Sequence, residues 1–221
     1  MKTIHEKERD VLVMAETNVL VVGGGPAGIA AALAAARAGV DTMLTERFGF
    51  FGGNITQAMV ESLVWYRHER TVEAGGIGAE LESVAEEMGG TVPDPESTGR
   101  LLDSEMFKCA ADRLLREAGV RPLLHCLVTD AVAEDGEIRG VITESKSGRR
   151  AVLAKTVVDA TGDADVADRA GVPCTMAPKD ELMAVTVGFT LSGIDTEVFW
   201  NHVKRHPSQI TDWASNTSEK E

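Results

Sequence analysis

Three glycines and one acidic residue near the N-terminus have the types and spacing of a nucleotide-binding site. Gly23, Gly25 and Gly28 stand in the stretch VLVVGGGPAG, and Glu46 follows in TMLTER. In such a turn the first glycine permits a tight bend and the second lets the backbone approach a pyrophosphate. The third lets a helix pack closely on a strand, and the later acid can accept hydrogen bonds from a ribose diol. The pattern predicts a dinucleotide cradle.

The residues around this turn predict the βαβ unit that positions it. Residues 17–22 form an apolar, β-branched run that is typical of a strand buried on both faces. Pro26 suits the first helical turn, and the alanine-rich stretch after it stops at Gly39. Residues 40–46 predict a second strand that ends at the acid. The helix N-terminus would then present free N–H groups to a phosphate.

Two later loops extend the predicted site. The stretch RFGFFGGNIT comes directly after Glu46, and VVDATGDAD (157–165) ends a second apolar run. In a doubly wound sheet the carboxyl ends of the strands share one crevice, so the loops at 23–28, 46–54 and 160–163 could face one extended ligand. The glycine turn alone does not separate FAD from NAD, whereas the carboxylate of Glu46 disfavours NADP because it would repel a 2′-phosphate.

These motifs together resemble the FAD-dependent oxidoreductases with a glutathione-reductase-type nucleotide fold, over about residues 17–205. The similarity lies in GGG.AG, in an acid followed by GG, and in DATGD.D.A..AG, which DATGDADVADRAG (159–171) matches. The stretch ITESKSGRRAVLAKTVVDATG (142–162) matches as well. The resemblance implies FAD as the cofactor, and an antiparallel meander inserted between the two halves of the nucleotide domain.

The resemblance also implies a role for individual residues. The three glycines would wrap the pyrophosphate and Glu46 would bind the adenosine ribose. Arg47 and the turn at 52–54 would lie along the pyrophosphate and the flavin side, and the backbone of Val128 would contact the adenine edge. The turn at 160–163 would form a second phosphate and ribose contact. The predicted cofactor-binding residues are Gly23, Gly25, Pro26, Ala27, Gly28, Glu46, Arg47, Gly52, Gly53, Asn54, Val128, Ala160, Thr161, Gly162 and Asp163.

The predicted fold class is α/β: a Rossmann-like FAD-binding domain with an inserted antiparallel β-meander and the start of a second, substrate-covering domain. We expect a polar leader at 1–16, the FAD-binding domain at 17–172 with its meander at about 122–155, and the beginning of the substrate domain at 173–221. Helices are predicted at 76–88, at about 103–117 and at about 164–170, with a loop at 91–99. The last part should contain a strand at 183–193, a helix at 195–206 capped by Asp195, and a polar tail.

Composition excludes several other functions. The formal net charge of −13 disfavours nucleic-acid and anionic-membrane surfaces, because repulsion would oppose their approach. No apolar run approaches the roughly 18 residues of a membrane span, and the N-terminus lacks the apolar core of a secretory signal. Cys109, Cys126 and Cys174 have no metal-ligand spacing and are predicted to be reduced packing residues. We expect a cytoplasmic protein without a metal site.

The predicted function is that of an FAD-dependent oxidoreductase, or its FAD-binding portion, transferring a hydride between a small organic substrate and flavin. Two alternatives remain open: an NAD-binding Rossmann oxidoreductase, and a non-catalytic nucleotide-binding subunit of a larger assembly. The sequence identifies no catalytic acid or base. It also lacks the C-terminal return with which the resembled family closes the flavin site. We therefore expect a fragment of a longer enzyme, or a subunit whose site a second copy or another chain completes.

Overall fold

A six-stranded sheet forms the centre of the chain's first unit. The computed structural model describes residues 2–5, 7–63, 75–93, 100–182, 185 and 187–206. The chain divides into two compact units, Met1–Thr186 and Val187–Glu221. In spatial order the strands of the sheet are β6 (Arg121–Leu123), β2 (Thr42–Thr45), β1 (Val13–Val22), β9 (Gly148–Asp159), β8 (Glu137–Ser145) and β7 (Leu127–Glu134).

The predicted βαβ unit is confirmed as β1, α1 (Pro26–Arg37) and β2. The strands β1 and β2 pair in parallel, and Leu20, Val21 and Leu44 are fully buried. Strand β1 begins at Val13, however, inside the predicted polar leader. The reason is its other neighbour, because the long strand β9 provides backbone partners from Ala151 onward and so extends the pairing beyond the apolar run.

The predicted antiparallel strands are present, but they extend the main sheet. Strands β7, β8 and β9 pair antiparallel in that order, and the same β9 pairs in parallel with β1. One strand therefore serves as both the last strand of the meander and the strand that leads into DATGD. The start of the predicted meander is also corrected, since β6, which contains Pro122, pairs in parallel with β2.

Three helices share one hydrophobic core with the sheet. Helices α3 (Gly76–Glu87) and α4 (Ser104–Glu117) occupy the predicted positions, and their buried side chains share one core with α1. The predicted loop at 91–99 is partly wrong. Its first residues form β4 (Thr91–Pro93), which joins β5 (Arg100–Leu102) and β3 (Ser62–Leu63) in a small antiparallel sheet. A strand this short carries no periodicity, so its partner determines its conformation.

Two shorter helices complete the described elements of the first unit: α2 (Asn54–Gln57) after the second glycine loop, and α5 (Asp165–Arg169) after DATGD. The short helix predicted at 164–170 is thereby confirmed as α5.

The second unit contains α6 (Thr196–Arg205), where a helix was predicted. The side chain of Asp195 caps it by accepting a hydrogen bond from the backbone N–H of Val198. The predicted strand at 183–193 is not found at the described positions 185 and 187–193. A strand forms only where a neighbouring strand pairs with it, and these described positions belong to neither sheet. Phe189 is 72% exposed. The predicted polar tail at 208–221 lies outside the described residues.

Candidate functional site

The carboxyl ends of β1, β2 and β9 open onto one cleft with about 500 Å³ of empty space. Six of the predicted cofactor-binding residues line it, together with five residues that the sequence did not single out as ligands. The lining residues are Val22, Gly23, Thr45, Glu46, Arg47, Cys126, Leu127, Val128, Thr161, Asp163 and Asp165. The structure thus brings together residues that are more than a hundred positions apart in the chain, as expected for the carboxyl ends of strands in one doubly wound sheet.

Two glycines of the turn are required by the protein itself. Gly23 has a φ of +100°, and a Cβ atom there would overlap the carbonyl oxygen of Ala160, at the end of β9. Gly28 lies in the first turn of α1, where a Cβ atom would overlap the carbonyl oxygen of Gly23. The helix therefore packs directly on the turn. A side chain at either position would force strand and helix apart.

Gly25 is different, because nothing in the described protein requires a glycine there. Its φ of −72° and ψ of −178° are extended values that any residue adopts. A Cβ atom would meet only the Cα atom of Gly53 at 3.7 Å, which is an ordinary contact. Gly25 is the N-cap of α1, and no side chain makes a capping hydrogen bond to this helix. Pro26 and Ala27 follow in its exposed first turn.

Glu46 is buried at the mouth of the cleft and held there by two backbone N–H groups. Its Oε2 accepts a hydrogen bond of 2.7 Å from Gly24, and its Oε1 accepts one of 2.9 Å from Phe48. The side chain is only 7% exposed. Each carboxylate oxygen can accept a second hydrogen bond. The carboxylate is therefore oriented in advance and retains acceptor capacity for a hydroxyl group.

The second glycine loop lies against the first. The N–H of Gly52 donates to the carbonyl of Gly24 at 2.8 Å, and Gly53 has a φ of +52°. A Cβ atom on Gly53 would stand 2.8 Å from the Cα atom of Gly25. The contact between the two loops therefore requires glycine at Gly53, whereas Gly52 is glycine because a Cβ atom there would overlap the side chain of Thr56. None of Gly52, Gly53 and Asn54 lines the cleft. Arg47, at the start of the loop, does line it.

The DATGD turn is organised by Asp159, which the sequence analysis did not single out. Its carboxylate accepts hydrogen bonds from the N–H and hydroxyl of Thr161 and from the N–H groups of Val166 and Ala167. Burial raises the pKa of Asp159, but the hydrogen bonds from Thr161, Ala167 and Val166 outweigh burial and leave this pKa below its ordinary value. An acid just before a short predicted helix was the sequence signal that could have identified it.

The rest of this turn lies at the cleft. The hydroxyl of Thr161 also accepts a hydrogen bond of 2.9 Å from the N–H of Asp165. The side chain of Asp163 is exposed, and the described residues give it no hydrogen bond or ion pair. Ala160 and Gly162 belong to the turn but do not line the cleft. Ala164, just after the turn, takes the left-handed conformation with a φ of 57°. The turn therefore presents a threonine and two acids to the cleft.

The β7 side of the cleft carries the predicted contact at Val128, which is buried. Cys126 is buried beside it, and burial raises the pKa of its thiol. The interpretation of the cysteines as packing residues is confirmed for Cys126 and wrong for Cys109 and Cys174, which are exposed. A cysteine's spacing carries no information about which side of its element faces solvent, which explains the error.

The described residues contain no group of three or more His, Cys, Asp and Glu residues that could hold a metal ion. No helix among them is both long enough and apolar enough to cross a membrane.

Comparison with known proteins identifies relatives of this chain. A sequence model of the FAD dependent oxidoreductase family matches residues 18–220. Thiamine thiazole synthase of Methanococcus aeolicus is 29% identical over 188 residues, which cover 78% of this chain and 63% of that protein. Digeranylgeranylglycerophospholipid reductase 2 of Methanopyrus kandleri is 29% identical over 192 residues, covering 82% and 46%. The chain spans less than two-thirds of the length of these curated relatives.

Solved structures share the fold. A geranylgeranyl bacteriochlorophyll reductase-like protein from Thermoplasma acidophilum superimposes with a TM-score of 0.55 at 23% identity, covering 77% of this chain and 44% of that one. L-proline dehydrogenase from P. horikoshii gives a TM-score of 0.55 at 17% identity, covering 74% and 58%. The resemblance predicted from the motifs is thus confirmed by a family match over nearly the whole chain. This chain belongs to the FAD dependent oxidoreductase family, whose cofactor is FAD.

Proposed function

We propose that the cleft holds FAD and that the chain is the FAD-binding part of an enzyme that transfers a hydride between a small organic substrate and flavin. Family membership supports FAD over the alternative of NAD alone. The relatives' names include a thiazole synthase and a phospholipid reductase, so they favour no one substrate for this chain. The proposal therefore names the cofactor and the type of reaction.

The observation that carries the proposal is the open surface of Gly25. The neighbouring glycines Gly23 and Gly28 are required by the fold, whereas among the described residues only Gly53, at an ordinary contact distance, lies within 4 Å of the Cβ position of Gly25. A glycine without a steric role in its own chain is accounted for by close approach of a ligand to the backbone. The uncapped N-terminus of α1 is suited to a pyrophosphate.

Other residues would orient the remaining parts of the cofactor. Glu46, already held by Gly24 and Phe48, would accept hydrogen bonds from the adenosine ribose. The buried Val128 would place its backbone along the adenine, and the DATGD turn, held by Asp159, would present Thr161 and Asp163 to the phosphate and ribityl part. Bound FAD supplies the hydride-transfer chemistry itself. The chain's contribution is to bind and orient it.

The visible spectrum of the purified chain, with identification of the cofactor released by heat, tests the proposal directly. Gly25→Val should lose the flavin, because the branched side chain would occupy the space intended for the pyrophosphate. Gly75→Val is the matched control, since Gly75 is also an extended N-cap glycine, of α3, and no atom of the described residues lies within 4 Å of its Cβ position. It should retain the flavin.

Three results would each overturn part of the proposal. Retention of FAD by Gly25→Val would exclude the glycine turn as the pyrophosphate site. Release of a nicotinamide nucleotide in place of flavin would exclude FAD as the cofactor. FAD bound without turnover across a panel of small organic substrates with a dye acceptor, even together with the chain or segment that completes the site, would favour the alternative of a non-catalytic nucleotide-binding subunit.

A further inference from the structure

One aromatic residue of the second loop contacts both of the neighbouring residues that are predicted to bind the cofactor. The N–H of Phe48 donates to Oε1 of Glu46 at 2.9 Å, and the guanidinium carbon of Arg47 lies 4.8 Å from the centre of the Phe48 ring. The carbonyl of Phe48 accepts a hydrogen bond of 3.0 Å from the N–H of His125. Backbone and ring of this one residue are therefore anchored separately.

The Phe48 ring belongs to a short stack. It lies 5.9 Å from the ring of Phe50, with only 10° between the two planes, and Nζ of Lys108 lies 4.0 Å from the centre of the Phe50 ring. Lys108 is itself paired with Glu105 at 2.6 Å on α4. The stack thus connects Arg47 at the cleft to a rigid helix of the core, through two aromatic rings.

Arg47 matters because of the charges around it. Among the described residues that line the cleft, Arg47 carries the only positive charge, whereas Glu46, Asp163 and Asp165 are acidic. A pyrophosphate entering this cleft meets carboxylates on two sides. A freely rotating arginine would lose side-chain entropy on pairing with the phosphate, and an arginine already held against a ring loses less.

We infer that Phe48 is a positioning residue for the cofactor: its ring holds the Arg47 guanidinium at the cleft, while its N–H holds the Glu46 carboxylate. This inference rests on the proposed function. The contribution of the Phe48 ring to holding Arg47 and the contribution of the Phe48 N–H to holding Glu46 can be separated by a substitution. Leucine at position 48 keeps the backbone N–H, and therefore the hydrogen bond to Glu46, but removes the aromatic face beneath Arg47.

The experiment is a double-mutant cycle on the full chain after removal of flavin, with the Kd for FAD measured by titration calorimetry. The variants are Phe48→Leu, Arg47→Met, and both together. Phe48→Leu should weaken FAD binding about two- to fivefold, the size expected for an exposed cation–π contact. In the Arg47→Met background the same substitution should have no further effect. Phe48→Tyr should restore the parental Kd, because it restores the aromatic face.

Phe50→Leu is the matched control, because it also removes a ring that faces a cation, but that cation is Lys108, outside the cleft lining. It should change the Kd less than Phe48→Leu does. The inference is overturned if Phe48→Leu binds FAD like the parent, if it weakens binding equally in the Arg47→Met background, or if Phe48→Tyr does not rescue. A parent chain that binds no FAD overturns the proposed function and this inference together.

Discussion

Helices α1 and α4 both begin at the edge of the first unit's core, but their N-terminal N–H groups are satisfied in different ways. At α4, Asp103 is the N-cap and accepts hydrogen bonds of 2.9 Å from the N–H groups of Glu105 and Met106. At α1, Gly25 is the N-cap, no side chain of a described residue caps the helix, and its first turn contains no acidic residue.

The difference fits the binding role proposed for the α1 N-terminus, although the missing cap alone does not set α1 apart, since the N-cap of α3 is also a glycine without a capping side chain. A helix leaves its first N–H groups without partners inside the helix, and a capping side chain is the usual local solution. A capping side chain is present at α4, and none from the described residues is present at α1. Glu46 accepts a hydrogen bond from Gly24, one residue before the N-cap of α1, but does not cap the helix. An uncapped N-terminus beside a cleft keeps both its donors and its positive dipole end for an anion.

The largest expected effect comes from adding a methyl group at Gly28, where helix α1 packs against the backbone of the glycine turn. Gly28→Ala should lower the free energy of unfolding by about 3 kcal/mol, because the new methyl group would overlap the carbonyl of Gly23. Gly78 is the matched control, since it is likewise the third residue of a helix, α3, and no described residue lies within 4 Å of its Cβ position. Gly78→Ala should raise stability by up to about 1 kcal/mol. Urea unfolding checks both, and a stable Gly28→Ala would contradict the packing described.

Exchanging the two N-caps tests the comparison itself. Gly25→Asp should weaken FAD binding by about 100-fold or more, because a carboxylate would occupy the helix N–H groups and repel the pyrophosphate. The same change should leave stability unchanged or raise it by a few tenths of a kcal/mol. Asp103→Gly should cost a few tenths of a kcal/mol and leave the Kd for FAD unchanged. Calorimetric titration and thermal unfolding of both variants separate affinity from stability.

If Gly25→Asp lost stability and affinity together, the uncapped N-terminus would have a folding role rather than a binding role.

Removing the charge next to the α1 N-terminus should have a smaller effect. Glu46→Gln should weaken FAD binding by about 10- to 100-fold, since one charge-assisted acceptor for the ribose is lost. The amide has a single oxygen acceptor, so it can keep only one of the hydrogen bonds from Gly24 and Phe48. The free energy of unfolding should therefore fall by about 1–3 kcal/mol. Glu80→Gln is the control, because Glu80 pairs with Arg37 on the surface. It should cost less than about 1 kcal/mol and leave the Kd unchanged.

The smallest expected effect concerns the carboxylate that orders the DATGD turn. Because the folded-state pKa of Asp159 is lowered, its ionised form stabilises the fold above its unfolded pKa of about 4, and this contribution disappears as pH falls through the folded pKa. Asp159→Asn should therefore lower stability by about 1 kcal/mol at pH 7. The difference from the parent should shrink as the solution becomes more acidic than pH 4. Urea midpoints measured between pH 7 and pH 3 check this, and a constant difference would contradict it.

Much of the cleft could be predicted from the sequence, because its signals are local. The βαβ unit, the glycine turn and the acid at the end of β2 all lie within a short stretch, where periodicity, caps and turn residues act over a few positions. The short helix after DATGD was predicted for the same reason. Asp195 as the cap of α6 was equally accessible, because a capping side chain bonds only to the next few residues.

Only the tertiary structure decided the features that depend on partners distant in the chain. Strand β1 reaches back to Val13 because β9 lies beside it, and the described residues at 187–193 form no strand although their apolar pattern favours one. Only the contact between their two loops shows that the fold requires glycine at Gly53, whereas among the described residues nothing requires it at Gly25. Local sequence determines which backbone conformations have low free energy. Strand pairing and steric exclusion, however, depend on atoms that other parts of the chain bring close. The sequence therefore determined the glycine turn and its acid, and the tertiary structure decided which of these glycines the fold itself requires.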